Sequence, residues 1–135
     1  MEFEQLTEKI IGCAYTVYKK LGCGFLESVY EKSLLIELEN AGLRAESQVP
    51  IDVRYDGRCV GSFFADLLVE ETVIIELKSV AKIIAAHEVQ LVNYLTATGK
   101  PVGLILNFSP TGMEVKRKVR TLSQPGHPVD PVNPV

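Results

Sequence analysis

The stretch FFADLLVEETVIIELKSV, residues 63–80, constrains the fold of this chain more than any other. Two apolar runs of strand character flank Glu70-Glu71-Thr72, with Asp66 inside the first run and Glu76-Leu77-Lys78 ending the second. Ionised groups are normally kept out of such runs, because burying one is costly unless it is paired or holds a metal. A strand alternates its faces with period two, so Glu76 and Lys78 point one way while Ile75 and Leu77 point the other. Asp66 joins Glu76 only if the intervening loop has an odd length, such as Glu70 to Thr72. A two-residue turn at Glu70 and Glu71 would set Asp66 opposite Ile75, on the wrong side.

With the odd register, two carboxylates and an ammonium meet on one patch of sheet. Two hard oxygen donors suit magnesium or manganese, ions that keep several waters and also take substrate phosphate. The lysine is placed to orient an attacking water and to stabilise charge on a phosphoryl group. The set reads as metal-assisted phosphodiester hydrolysis, and the plainer alternative is charge at exposed strand ends.

At 135 residues the chain fits one domain with a real core, and 47% hydrophobic with 23% charged residues is ordinary for a soluble protein. No apolar run approaches the roughly 20 residues needed to span a bilayer. The acidic, amphipathic start MEFEQLTEKI does not read as a signal peptide. Cys13, Cys23 and Cys59 include no CxxC pair and favour reduced thiols, hence a cytoplasmic setting. A net charge of −3 argues against tight, unaided nucleic-acid binding, which rests on lysine and arginine at phosphates.

Phe3, Leu6, Ile10, Ala14, Val17 and Leu21 predict an amphipathic helix that stops at Gly22-Cys23-Gly24. A second helix, 26–41, carries Leu26, Tyr30, Leu34, Leu38 and Ala41 on one stripe, with Gly42 as its cap. Glu27 in its first turn is favoured by the helix dipole whatever its function. Residues 48–55 alternate, and Asp56-Gly57 predicts a two-residue hairpin pairing Tyr55 with Arg58 and Val53 with Val60. That register sets Asp66 on the face of Val49, Ile51 and Val53, under the helices. After 79–82 a third helix runs to about Thr98 before Gly99, with Ile84, Leu91 and Leu95 toward the core and His87, Gln90 and Tyr94 on an adjoining stripe. A lone helical histidine such as His87 is most simply a capping or solvated residue. VGLILNF at 102–108 predicts a buried strand parallel to the one carrying Glu76, and 113–120 a basic outer strand whose charge protects a sheet edge or, in the functional alternative, forms a phosphate-facing rim. The segment 121–135, with Pro125, Pro128, Pro131 and Pro134, reads as a flexible tail, and no role is assigned to His127.

An Asp, nine residues, then Glu-x-Lys resembles the motif of the PD-(D/E)XK nuclease superfamily, with Ala65 standing where the motif's name has proline. Gly24-Phe25-Leu26-Glu27-Ser28-Val29-Tyr30 matches the G-x-x-E-x-x-Y signature of the GxxExxY family within it, and the similarity extends from about Leu6 to Arg120. The resemblance implies an α/β nuclease-like core over 1–120, a mixed five-stranded sheet flanked by helices. It implies Asp66 and Glu76 as metal ligands, the Leu77 carbonyl as a third, and Glu27 offered directly or through water from its helix. Tyr30 would place its hydroxyl near the pocket or serve as a core aromatic. Gln90-x-x-x-Tyr94 resembles the element that RecB-type members set beside metal and substrate backbone, and Lys78 would position the water. The implied activity is a magnesium-dependent nuclease acting on DNA or RNA, with manganese as a substitute ion. The alternative is a non-catalytic nucleic-acid-binding or protein-interaction module on the same fold, as a homodimer or with a partner protein.

Overall fold

The computed structural model describes residues 3–120, so the proline-rich segment expected to form a tail lies outside the described residues. Five strands form one sheet in the order β1 (Ala45–Tyr55), β2 (Arg58–Val69), β3 (Val73–Lys78), β4 (Val102–Ser109), β5 (Gly112–Val119). All neighbours are antiparallel except β3 and β4, which run parallel because α3 (Ala85–Thr98) carries the chain back across the sheet. Helices α1 (Glu4–Leu21) and α2 (Glu27–Asn40) cover one face and α3 the other. The mixed five-stranded sheet flanked by helices is thus as the sequence predicts. Among the described residues no helix is long and apolar enough to cross a membrane.

Helices of this length are marginal alone and are held by their buried faces. Ile10, Ala14 and Val17 of α1 and Tyr30, Leu34 and Leu38 of α2 bury against Leu67, Ile75, Leu77 and Leu104 of the sheet. Each such large apolar side chain contributes about 1.5–3 kcal/mol. Leu91 and Leu95 of α3 bury with Leu68, Ile74 and Ile105 on the opposite face. Both faces of the sheet are therefore covered over β4, and all eight of its residues are buried. Leu91 of α3 packs onto Gly103, where a Cβ would stand 2.7 Å from Leu91 Cδ1 and 3.2 Å from the Ile74 carbonyl.

Two helix starts differ from the sequence reading. Leu26 has extended backbone before the first turn of α2 and is 77% exposed instead of lying on the buried stripe. Ile84 is likewise extended before α3 and exposed, and Ile83 takes the core position expected of it. Successive residues of an extended chain point to opposite sides, so a start one residue later exchanges the two.

The odd register between β2 and β3 is present. Val69 pairs with Val73 around the three-residue loop Glu70-Glu71-Thr72, and the ladder continues to Leu67 with Ile75, which brings Asp66 level with Glu76. Glu70 and Glu71 both adopt left-handed backbone, φ 52° and 56°, and Thr72 N–H closes the turn on the Val69 carbonyl. The conformation suits glycine or asparagine better than glutamate. It is held from outside: Arg44 N–H donates to Glu70 Oε2 at 2.7 Å, and Lys100 Nζ donates to the Glu71 carbonyl at 2.9 Å.

The register between β1 and β2 corrects the sequence reading. Tyr55 pairs with Arg58 and Arg54 with Cys59, as the Asp56-Gly57 turn requires, but Val53 then pairs with Gly61 rather than Val60. Val60 is the extra residue of a bulge, which reverses the faces of everything beyond it. Val49, Ile51 and Val53 consequently pair with Ala65, Phe63 and Gly61, and Asp66 does not share their face. A second break lies where Asp66 would face Gln48, whose φ of 53° interrupts the ladder between Ser47 with Leu67 and Val49 with Ala65. Leu67 packs with α1 and α2, whereas Ala65 and Ile51 pack with α3. The hairpin turns over at this point, and Asp66 stands at the crossing.

Candidate active site

Asp66 sits where β2 and β3 part. Regular pairing ends at Leu67 with Ile75, and beyond it the carboxylates stand in for the ladder: Asp66 N–H donates to Glu76 Oε2 at 3.1 Å and Leu77 N–H donates to Asp66 Oδ2 at 2.7 Å. Each backbone donor is thereby satisfied. One oxygen of each carboxylate, Asp66 Oδ1 and Glu76 Oε1, keeps no hydrogen bond among the described residues. Glu76 is only 7% exposed. Its burial, and next the charge of Asp66, push its carboxyl up to about 8, against the opposing pull of the Asp66 N–H and of Lys78. Two ionised carboxylates here would carry more negative charge than their surroundings compensate, the electrostatic condition of a cation site.

Lys78, the last residue of β3, lies on the same side as Glu76 because one residue, Leu77, separates them. Tyr94 of α3 is buried, and its phenol is pushed up by that burial and by the nearby charges of Glu76 and Asp66. Gln90, one turn earlier, is exposed on the wall of a cleft that Tyr94 also lines. His87 caps its own helix, accepting the Ile84 N–H on Nδ1 at 3.2 Å.

Glu27 is the first residue of α2 and is exposed, and its charge is the weakest of those acting on Glu76. Among the described residues no three acidic, histidine or cysteine side chains gather closely enough to hold a metal by themselves. Asp66 and Glu76 fit an ion that takes one or two carboxylates and retains water, which is the habit of magnesium.

Tyr30 does not reach the pocket with its hydroxyl. Its ring is fully buried, stacked on Phe108 with centroids 4.1 Å apart, while the hydroxyl donates to the Gly22 carbonyl at 2.6 Å and accepts Phe25 N–H at 3.3 Å. It fixes the loop between α1 and α2, and Ser79 Oγ, next to Lys78, donates to the Phe25 carbonyl at 3.0 Å.

Three contributors escape a reading of the sequence. Glu31, one turn after Glu27, accepts from Gln48 Nε2 at 2.9 Å; its carboxyl is raised chiefly by burial and also by Asp66. The spacing of four from Glu27 was the available signal. Fully buried Asn107, beside Lys78 in the parallel register, bonds both backbone groups of Val80 at 3.0 Å and donates to Glu114 Oε1 at 3.1 Å. Glu114 in turn accepts Ile83 N–H at 2.9 Å, and these two bonds hold its carboxyl below the usual range. The network anchors the link from β3 to α3, and so the position of Gln90 and Tyr94 against the carboxylates.

No curated protein matches the sequence. A solved structure titled "Crystal structure of SSO0001" is similar with a TM-score of 0.54 at 18% identity, over 71% of this chain and 50% of that one. The chain thus spans half the length of that protein, and at this identity the likeness speaks for the fold alone. The family model described as the PD-(D/E)XK nuclease superfamily matches residues 4–120, which include Asp66, Glu76 and Lys78. By that match the chain belongs to the PD-(D/E)XK nuclease superfamily.

Proposed function

We propose that the chain is a magnesium-dependent nuclease that hydrolyses phosphodiester bonds in DNA or RNA, and that within its superfamily it belongs to the GxxExxY group. The observation that carries this reading is the convergence of Asp66 and Glu76 at the end of the β2–β3 ladder, each with one oxygen still to be satisfied and with the Glu76 carboxyl pushed up to about 8. Such a pair is relieved by a divalent cation.

Asp66 and Glu76, with the Leu77 carbonyl, would hold the ion, and Glu27 would reach it through water. When bound, the metal supplies Lewis-acid polarisation of the phosphate and lowers the pKa of water. Lys78 holds the attacking water in line and steadies the negative charge that builds on the phosphoryl oxygens. Gln90 donates and accepts at once, which suits a residue between carboxylate and phosphate. Tyr94 closes the α3 side and limits the access of bulk water to Glu76.

The test is Lys78→Ala in a cleavage assay with magnesium on single- and double-stranded DNA and RNA, beside calorimetric metal titration. Cleavage by the wild type that the variant loses, with metal affinity kept, is the expected result. Unchanged cleavage would remove Lys78 from the chemistry.

A further inference from the structure

Among the described residues, Gln48 is the one non-glycine position inside a strand with left-handed backbone, φ 53°; Asp56, Glu70 and Glu71 share the conformation but stand in turns. A Cβ makes it unfavourable, so it persists only where the surroundings hold it. Gln48 stands across from Asp66, between the pairs Ser47 with Leu67 and Val49 with Ala65. Residues an even number apart on a strand normally share a face. That rule fails in both strands at this level: Ala45 and Leu67 pack with α1 and α2, whereas Val49 and Ala65 pack with α3.

The roll gives Asp66 its reach. Side chains of a regular strand stand off the sheet, away from the backbone of the next strand. Asp66 instead accepts Leu77 N–H of β3 on Oδ2 at 2.7 Å, while its own N–H goes to Glu76 Oε2 at 3.1 Å. A Gln48 relaxed to extended backbone would pair with Asp66 and complete the ladder, and the carboxylate would turn off the sheet. The one side-chain hydrogen bond that Gln48 makes among the described residues opposes this relaxation: Nε2 donates to Glu31 Oε1 at 2.9 Å. Glu31 follows Tyr30 on α2, and Tyr30, Leu34 and Leu38 are fully buried, so the helix offers a fixed point. The charge of Glu31 gives Asp66 nothing. Burial pushes the Glu31 carboxyl up, the bond from Gln48 draws it back, and the like charge of Asp66 adds to the rise.

Resting on the reading of Asp66 and Glu76 as the ion-holding pair, we infer that Glu31 is a positioning residue for Asp66: its hydrogen bond to Gln48 holds β1 in the left-handed kink that rolls β2 and aims the Asp66 carboxylate at β3. Glu31 acts through Gln48 and touches neither ion nor substrate. Its part is geometric, so any acceptor at its place serves, and a residue at 48 that takes left-handed backbone freely makes it dispensable.

The experiment measures amide hydrogen exchange by NMR on the full chain in EDTA, for wild type, Glu31→Ala, Glu31→Gln and the double variant Glu31→Ala with Gln48→Gly. Asp66 N–H and Leu77 N–H report the aim of the carboxylates, and Leu104 N–H in the buried β4 reports the stability of the whole. The account expects Glu31→Ala to speed exchange at Asp66 and Leu77 about tenfold and to leave Leu104 unchanged. Glu31→Gln, which keeps the acceptor without the charge, should match wild type, and Gln48→Gly should restore both amides in the Glu31→Ala background. No change at the two amides, equal acceleration at all three, a loss in Glu31→Gln as large as in Glu31→Ala, or no rescue by glycine would each overturn the inference. Where wild type binds magnesium, Glu31→Ala should weaken it about tenfold and the double variant should recover it. Where wild type binds none, the nuclease reading fails by itself, and the exchange pattern alone upholds or overturns the role of Glu31.

Discussion

Replacing Glu76 by glutamine should make the protein more stable, and the gain should depend on pH. Buried beside Asp66, the Glu76 carboxyl is pushed from 4.5 to about 8. Below 4.5 the group is protonated folded or unfolded and contributes nothing to the pH dependence. As pH rises past 4.5 the unfolded chain ionises while the folded one holds its proton, so stability is lost progressively until about 8 and is level above it. At pH 7 the deficit is about 3 kcal/mol, a large share of the ~5–15 kcal/mol that holds a domain of this size. Glutamine carries no charge and keeps an oxygen for the Asp66 N–H. Urea denaturation in EDTA at pH 4, 5.5, 7 and 8.5 would measure it, with equal m-values for the two proteins. The stability gap should be near zero at pH 4 and widen to about 3 kcal/mol at pH 7. A gap that stays constant from pH 4 to pH 8.5, or a variant less stable than wild type at pH 7, would refute the reasoning.

Tyr30→Phe keeps the stack on Phe108 but leaves the Gly22 carbonyl and Phe25 N–H without their partner. It should cost about 1–2 kcal/mol in urea and speed amide exchange at Phe25. Glu71→Gly relieves the left-handed backbone of the β2–β3 turn and keeps the carbonyl that Lys100 bonds, so it should stabilise by about 0.5–1 kcal/mol. A thermal melt at matched pH checks it, and a lowered midpoint would show that the turn is not strained.

The periodic apolar residues of α1, α2 and α3, the parallel β4 and the convergence of Asp66 with Glu76 were all legible in the sequence, because each follows from a local period or from the parity of one short loop. What was not legible depends on long-range fit. The Asp56-Gly57 turn fixes only the first two pairs of its hairpin, and the bulge at Val60 shifts every pair beyond them. The left-handed Gln48 that breaks the ladder beside Asp66 has no mark in composition. Asn107 interrupts the otherwise apolar run VGLILNF, and its partners are Val80, 27 residues earlier, and Glu114, opposite it on β5, a pairing that composition does not mark. Glu31 sits in plain view on the stripe of Glu27, and only the fold of β1 over α2 shows that it reaches toward Asp66.

The measurement that tests the central claim most directly is calorimetric titration of magnesium into the wild type and Asp66→Ala at neutral pH. The account predicts binding near one ion per chain with release of a proton, because the metal displaces the proton that Glu76 holds below about 8, and loss of that binding in the variant. Metal binding that survives unchanged in Asp66→Ala, or none in the wild type, would contradict it.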